Sequence, residues 1–137
     1  MVIEGGVRTV KNVSRVSLAG MPLVSVVTVV RTAENYLPTT IESVLAQTYR
    51  NWEYIIIDGN STDGTIQCIR QNETNIDYWV SEADSGIYDA MNKGVRLSTG
   101  TYVLLLNAGD TLLKDALARW SKTSLRADVI YGDWIWQ

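Results

Sequence analysis

Histidine is absent from this chain of 137 residues. That excludes imidazole acid–base catalysis, His–Asp nucleophile relays and nearly all zinc chemistry. Cys68 is the single cysteine, so no intrachain disulfide can form, and its apolar helical setting reads as a small core residue. No apolar run reaches the roughly 18 residues of a membrane-crossing helix. The first twenty residues, MVIEGGVRTVKNVSRVSLAG, hold scattered basic groups but no compact apolar region of a signal peptide, which predicts a cytoplasmic protein. The net charge of -3, with lysine and arginine dispersed, excludes a nucleic-acid surface. Chemistry must then run on carboxylates, hydroxyls, amines and a hard metal.

Several nucleotide and phosphate signatures are also missing. The dinucleotide fingerprint G-x-G-x-x-G does not occur, and no D-x-D-x-T follows the first buried run. A phospho-receiver needs an acidic pair there, where Arg31-Thr32-Ala33 stands. Gly59 and Gly64 have the spacing of a triphosphate-cradling loop, but Thr65 occupies the place of its lysine.

What is present is a globular pattern. Hydrophobic residues make up 46% and charged residues 20%, as expected of one soluble domain with an ordinary core. From Leu23 onward, apolar runs alternate with helical spacing. LVSVVTVV (23–30), WEYIIID (52–58) and TYVLLLN (101–107) read as strands buried on both faces, and IDYWVS (76–81) as a half-buried one. Pro38 opens a helix with Ile41, Val44 and Leu45 on one face. A second helix starts near Thr62 with Ser61 as N-cap, and a third, 86–97, carries Ile87, Met91, Gly94 and Val95 on one stripe. A short helix over 113–121 and a last strand over 127–134 complete the pattern. This alternation predicts an α/β fold, an open and mainly parallel sheet with flanking helices. The domain spans 22–137, and residues 1–21 form an N-terminal appendage.

In such sheets ligands bind beyond the carboxyl ends of the strands. The polar groups placed there are Arg31, Thr32 and Glu34; Asp58; Glu82 and Asp84; Asn107 and Asp110. Acidic groups on one rim, without histidine, suit a hard divalent cation bridging to phosphate oxygens. Asp58 also suits a base N–H or a ribose hydroxyl. Each group has an ordinary structural reading as well. Asp58-Gly59-Asn60-Ser61 and Asn107-Ala108-Gly109-Asp110 are good turns, Glu82 and Asp84 are acids ahead of a helix, and the five tryptophans suit packing. The coincidence of these groups at one end of successive strands favours a site.

The ordered motifs S-V-L-x-Q-T-Y (43–49), D-G-x-S-x-D-G-T (58–65) and SEADSGIYDAMNKG (81–94) resemble a family 2-type GT-A glycosyltransferase. The last segment is most similar to the branch that builds bacterial cell-surface polysaccharide. The resemblance covers roughly residues 22 to 137. It implies a Rossmann-like GT-A sheet, a nucleotide-sugar donor, a Mn²⁺ or Mg²⁺ cofactor, and inverting transfer to a glycan or lipid-linked acceptor. It also implies action at the inner face of the membrane by peripheral association, and a homo-oligomer is compatible with it. Carried over by position, Thr28, Val29, Val30 and Arg31 line the base through backbone groups, with Glu34 in the same loop. Asp58 holds base or ribose, Asp84 sits by the diphosphate and sugar, and Asp110 binds the metal.

The chain departs from the family pattern at three places. Gly59 and Gly109 replace acids, which leaves Asp110 as the single direct protein ligand. Family members continue well past this length and carry the acceptor-activating carboxylate there. Asp133 is a late carboxylate, but nothing in its context marks it as the base, so the catalytic base is unassigned. The expectation is therefore a donor-binding half with the acceptor half missing, unable to transfer sugar alone. The alternative is a non-catalytic nucleotide-sugar-binding or oligomerising module.

Overall fold

A computed structural model describes residues 1–122 and 128–129. Strands β1 (Ile3–Gly5), β2 (Val24–Val30), β3 (Trp52–Asp58), β4 (Tyr78–Ser81) and β5 (Tyr102–Asn107) form one sheet. Its order is β1-β4-β3-β2-β5. Helices α1 (Val7–Lys11), α2 (Leu37–Leu45), α3 (Thr65–Gln71) and α4 (Ile87–Leu97) connect the strands, with a 3-10 turn at Glu73–Asn75, and α5 (Ala116–Ser121) follows β5. All pairings are parallel except β1 with β4. The β-branched runs of β2 and β3 are buried at every position, as central parallel strands require.

Alternate residues feed two cores. Val24, Val26, Tyr54 and Ile56 meet Leu37, Ile41 and Val44 of α2, Ile69 of α3 and Leu117 of α5. On the other face Val27, Val29, Ile55 and Ile57 meet Ala90 of α4. Burial of each isoleucine stabilises the fold by about 2 kcal/mol. The register pairs Val30 with Asp58, Asp58 with Ser81, and Val29 with Asn107. Parallel pairing thus brings four strand ends to one edge.

Several elements differ from the sequence pattern. Helix α3 begins at Thr65 rather than Thr62, and its N-cap position is Gly64, so Ser61 is not the cap. β4 is buried at Trp79, Val80 and Ser81 instead of half-buried, because it is paired on both sides. β5 is not buried on both faces: Val103 and Leu105 are 38% and 43% exposed. Helix α4 lies over β2 and β3, leaving that face of β5 uncovered by the described residues. On α4 itself, Ala90 and Gly94 meet the sheet, while Ile87 and Val95 of the expected stripe are about half exposed. The strand expected over 127–134, with Asp133, lies outside the described residues.

Residues 1–21 also carry structure that periodicity did not reveal. Ile3 pairs with Ser81 and Gly5 with Trp79, closing the β4 edge. Arg8 of α1 then reaches Glu53 in an ion pair and donates to the Leu97 carbonyl at 2.8 Å. Glu53 is fully buried and also accepts from Ser25, from Thr99 N at 2.7 Å and from Thr99 Oγ1 at 2.8 Å. Burial pushes its carboxyl up, but these hydrogen bonds and Arg8 outweigh burial and hold it below the usual value. This charged knot sits at the amino end of the strands, away from the candidate site. No described helix is long and apolar enough to cross a membrane.

Candidate functional site

The carboxyl edge is built from loops laced to one another. Gly59 N donates to Val30 O at 2.9 Å, Glu82 N to Asp58 O at 3.1 Å, and Ala108 N to Val29 O at 3.3 Å. These bonds extend the sheet ladder by one step at each strand end. Beyond it, the 31–34 and 58–65 loops exchange side-chain bonds. Thr32 N donates to Ser61 Oγ (2.8 Å), Ala33 N to Thr65 Oγ1 (2.9 Å), Glu34 N to Asp63 Oδ2 (3.1 Å) and Gly64 N to Glu34 Oε2 (2.6 Å). The Thr65 hydroxyl also donates to Asp63, which holds that carboxyl below its usual range despite a smaller opposing effect of burial.

Asp58 is the hub of this lacework. It is fully buried; Oδ2 accepts from Ser61 N at 3.0 Å and Ser81 Oγ at 2.6 Å, and Oδ1 accepts from Ser61 Oγ. Ser61 therefore spends its hydroxyl on Asp58 and Thr32, which is why it does not cap α3. Thr32 and Asn60, one in each of these loops, have φ of 52° and 59°. Left-handed backbone at a β-branched threonine is rare and costs about 1–2 kcal/mol, so the surrounding bonds hold it there.

The residues singled out from sequence fall into three groups. Arg31, Asp58 and Asp84 converge on Gly59: a Cβ added there would lie 2.5 Å from Asp84 Oδ2 and 3.4 Å from Arg31 Cδ. A side chain at residue 59 would displace the Asp84 carboxylate, whose Oδ2 lies against this stretch of backbone. Val29 and Val30 are buried, with carbonyls already bonded to Ala108 and Gly59, so Arg31 and Thr32 are the exposed part of that tip. Glu34 is tied to Gly64. Asp110 stands apart, on the loop after β5, with its amide donating to Asn107 O at 3.0 Å. Among the described residues its carboxylate has no hydrogen bond or ion pair, and neither has the Arg31 guanidinium.

No group of three or more acidic or cysteine side chains among the described residues could hold a metal. Asp58, Asp84 and Asp110 are therefore not one cage. The donor set is instead a free carboxylate, with the buried Asn107 Oδ1 nearby in sequence and lacking a partner among the described residues. This fits a hard cation that arrives with a diphosphate and keeps some waters, as Mg²⁺ sites on one or two carboxylates do. Of the tryptophans, Trp52 and Trp79 are core residues, and Trp120 packs edge-on to Tyr102 at 4.9 Å. Trp134 and Trp136 lie outside the described residues. Cys68 is half-buried against the larger core, as expected.

Comparisons with known proteins bear on the family and the fold. The profile of glycosyl transferase family 2 matches residues 25–134. The chain belongs to that family. A PGL/p-HBAD biosynthesis glycosyltransferase of Mycobacterium bovis is 35% identical over 119 residues, covering 82% of this chain and 46% of that protein. The putative teichuronic acid biosynthesis glycosyltransferase TuaG of Bacillus subtilis is 40% identical over 101 residues, covering 72% of this chain and 40% of TuaG. The chain thus spans less than half the length of these family 2 relatives. Mannosyltransferase PcManGT of Pyrobaculum calidifontis, solved with GDP-Man and Mn²⁺, superposes with a TM-score of 0.66 at 25% identity, over 71% of this chain and 30% of that one. S. aureus TarS 1–349 with UDP-GlcNAc has the same fold, with a TM-score of 0.66 at 21% identity over 72% and 30%. The mostly parallel GT-A sheet with flanking helices is thereby established.

Sequence reasoning missed Thr65, Ser81 and Asp63, which shape the loops. Their signal was weak, because Ser, Thr and Asp are ordinary turn residues wherever they occur.

Proposed function

We propose that this chain forms the donor side of an inverting glycosyltransferase that acts in cell-surface polysaccharide or glycolipid assembly. The nucleotide of a sugar-nucleotide donor lies along the carboxyl edge, between the Arg31–Glu34 tip and the Asp58–Asn60 turn. Asp58 shapes the base and ribose side from beneath, Asp84 faces the diphosphate and sugar, and Asp110 holds a Mn²⁺ or Mg²⁺ ion. When bound, the ion supplies charge neutralisation at the departing diphosphate. Arg31 offers an unpaired cation on the same edge, and the rigid loops fix donor orientation. The acceptor, glycan or lipid-linked, and the base that deprotonates it are met outside the described residues.

The observation that carries this reading is the convergence of Arg31, Asp58 and Asp84 around Gly59 beside a strained Thr32, in a family 2 chain. A thermal-shift panel of UDP-, GDP- and dTDP-sugars, with and without Mn²⁺, tests it. Ligand at 100 times Kd adds about 2.7 kcal/mol. At least one nucleotide should raise the melting temperature by several degrees, and more so with Mn²⁺. No response to any nucleotide removes the donor reading. A binding or oligomerising module without catalysis is the second reading, favoured by the exposed Val103 and Leu105 on β5.

A further inference from the structure

The S-V-L-x-Q-T-Y stretch and Thr40 just before it have no part in the edge just described, yet some of their polar side chains are turned inward. Thr40 and Gln47 are fully buried, although α2 otherwise packs through Leu37, Ile41 and Val44. Burying a hydroxyl and an amide on an apolar helix face is unfavourable unless each polar atom is bonded. Apart from Ser43 Oγ donating to Thr40 O (2.8 Å) and Gln47 Nε2 to Ser43 O (3.1 Å), their partners lie in one segment, residues 109–117. Thr40 Oγ1 accepts from Gly109 N at 2.9 Å and donates to Asp110 O at 2.9 Å. Ser43 Oγ accepts from Leu112 N at 3.1 Å. Gln47 Nε2 donates to Leu113 O at 2.7 Å, while its Oε1 accepts from Leu117 N at 3.1 Å.

Thr40 and Ser43 lie at i and i+3 on one face of α2, and Gln47 follows two residues past its last residue, Leu45. Their spacing matches a loop that has no regular ladder of its own and must place its peptide groups somewhere. Thr40 is the decisive member, because its hydroxyl bonds the chain on both sides of the Asp110 α-carbon. Gly109, at φ 100°, makes the reversal that lets one hydroxyl reach both groups.

We infer that Thr40 and Ser43 of α2, with Gln47 just past its end, are positioning residues for Asp110, which set the affinity of the site for a divalent cation bound with a nucleoside diphosphate. The inference rests on the reading of Asp110 as the metal ligand. It adds that this lone carboxylate is aimed from α2, through the backbone, rather than by neighbouring side chains. A metal site with one protein carboxylate has no second ligand to correct a displaced loop, so small shifts register directly in cation affinity.

The test is calorimetric titration of UDP and of GDP into the full 137-residue protein, each with and without Mn²⁺. The readout is the ratio of the two affinities, the Mn²⁺-dependent gain. Asp110→Ala should abolish the gain. Thr40→Val should reduce it at least tenfold while leaving metal-free nucleotide affinity within twofold. Thr40→Ser, which restores the hydroxyl, should return the gain to within threefold of wild type. Ser43→Ala removes the bond to Leu112 N, and one to Thr40 O, from a half-buried position, and should lower the gain about threefold even if Thr40→Val does not fold. If Asp110→Ala abolishes the gain while folded Thr40→Val, or Ser43→Ala in its place, leaves it unchanged, the positioning role is refuted and the metal reading stands. If Asp110→Ala itself changes nothing, the metal reading fails and the positioning role with it.

Discussion

Replacing Asp58 by alanine should cost the domain about 3 kcal/mol before any ligand is considered. The carboxylate is fully buried and accepts from Ser61 N, Ser61 Oγ and Ser81 Oγ. Each buried donor left without an acceptor costs about 1–3 kcal/mol. Ser81 is 4% exposed, so water cannot replace Asp58 there, whereas Ser61 is partly open and falls at the low end. Losing Ser61 also loosens its bond to Thr32 N. At about 3–4 °C per kcal/mol for a domain of this size, the melting temperature should fall by about 10 °C. Asp58→Asn keeps one acceptor oxygen and loses charge assistance, so it should cost only about 1 kcal/mol. Thermal denaturation by circular dichroism of the three proteins gives the order wild type, Asn, Ala. A change below about 2 °C for Asp58→Ala would refute the buried hub. Calorimetry then separates shape from contact: because Asp58 has no exposed surface, Asp58→Asn should keep nucleotide affinity within about threefold. A loss beyond tenfold would show that the carboxylate bonds the nucleotide directly.

Other consequences are independent of the ligand. Gly94→Ala should destabilise by about 1–3 kcal/mol in a urea titration, because its Cβ would lie 2.2 Å from Val27 Cγ1 and force α4 off the sheet. Thr32→Gly should raise stability by about 0.5–1 kcal/mol, since glycine relieves the left-handed strain and the Thr32 N–H bond survives, with a cost in donor affinity visible by calorimetry. Arg8→Met leaves Glu53 charged and buried without its cation, and should cost about 3 kcal/mol by denaturant titration, an effect that a dispensable N-terminal segment would not produce. The Glu53 carboxyl is held below its ordinary value of about 4.3. Its contribution is therefore complete above that pH and lost as pH falls through the lowered folded value, so Glu53→Gln should flatten the acid limb of the stability profile.

The strands were legible because their chemistry is redundant. Trp52–Asp58 is a β-branched and aromatic run, interrupted only by Glu53 and closed by a turn at Asp58, and the observed strand has those bounds. The placement of polar groups at the carboxyl edge followed from parallel topology alone. What could not be read was the allocation of hydroxyls and carboxylates. Ser61 had the look of a helix cap, but its partner Thr32 lies 29 residues earlier, and no local rule reports that bond. β1 has three residues and no periodicity, so only its pairing with β4 reveals it. The stripe on α4 was read from apolarity, whereas close approach at Gly94 decided which side faces the sheet. Thr40 did leave a signal, a polar residue inside the apolar face of α2, which marks a helix that bonds a neighbouring loop, and Gln47 continues it just past the helix end.

The central claim is that a nucleotide and its cation lie on the carboxyl edge of the sheet, and amide NMR of ¹⁵N-labelled protein tests it most directly. Titration with the nucleotide that wins the thermal-shift panel should move the amide signals of Arg31, Thr32, Gly59, Asn60 and Asp84. Substoichiometric Mn²⁺ added with that nucleotide should broaden signals most strongly around Asp110. Shifts confined to the opposite rim, around Arg8, Glu53 and Thr99, or Mn²⁺ broadening with no focus at Asp110, would contradict the account.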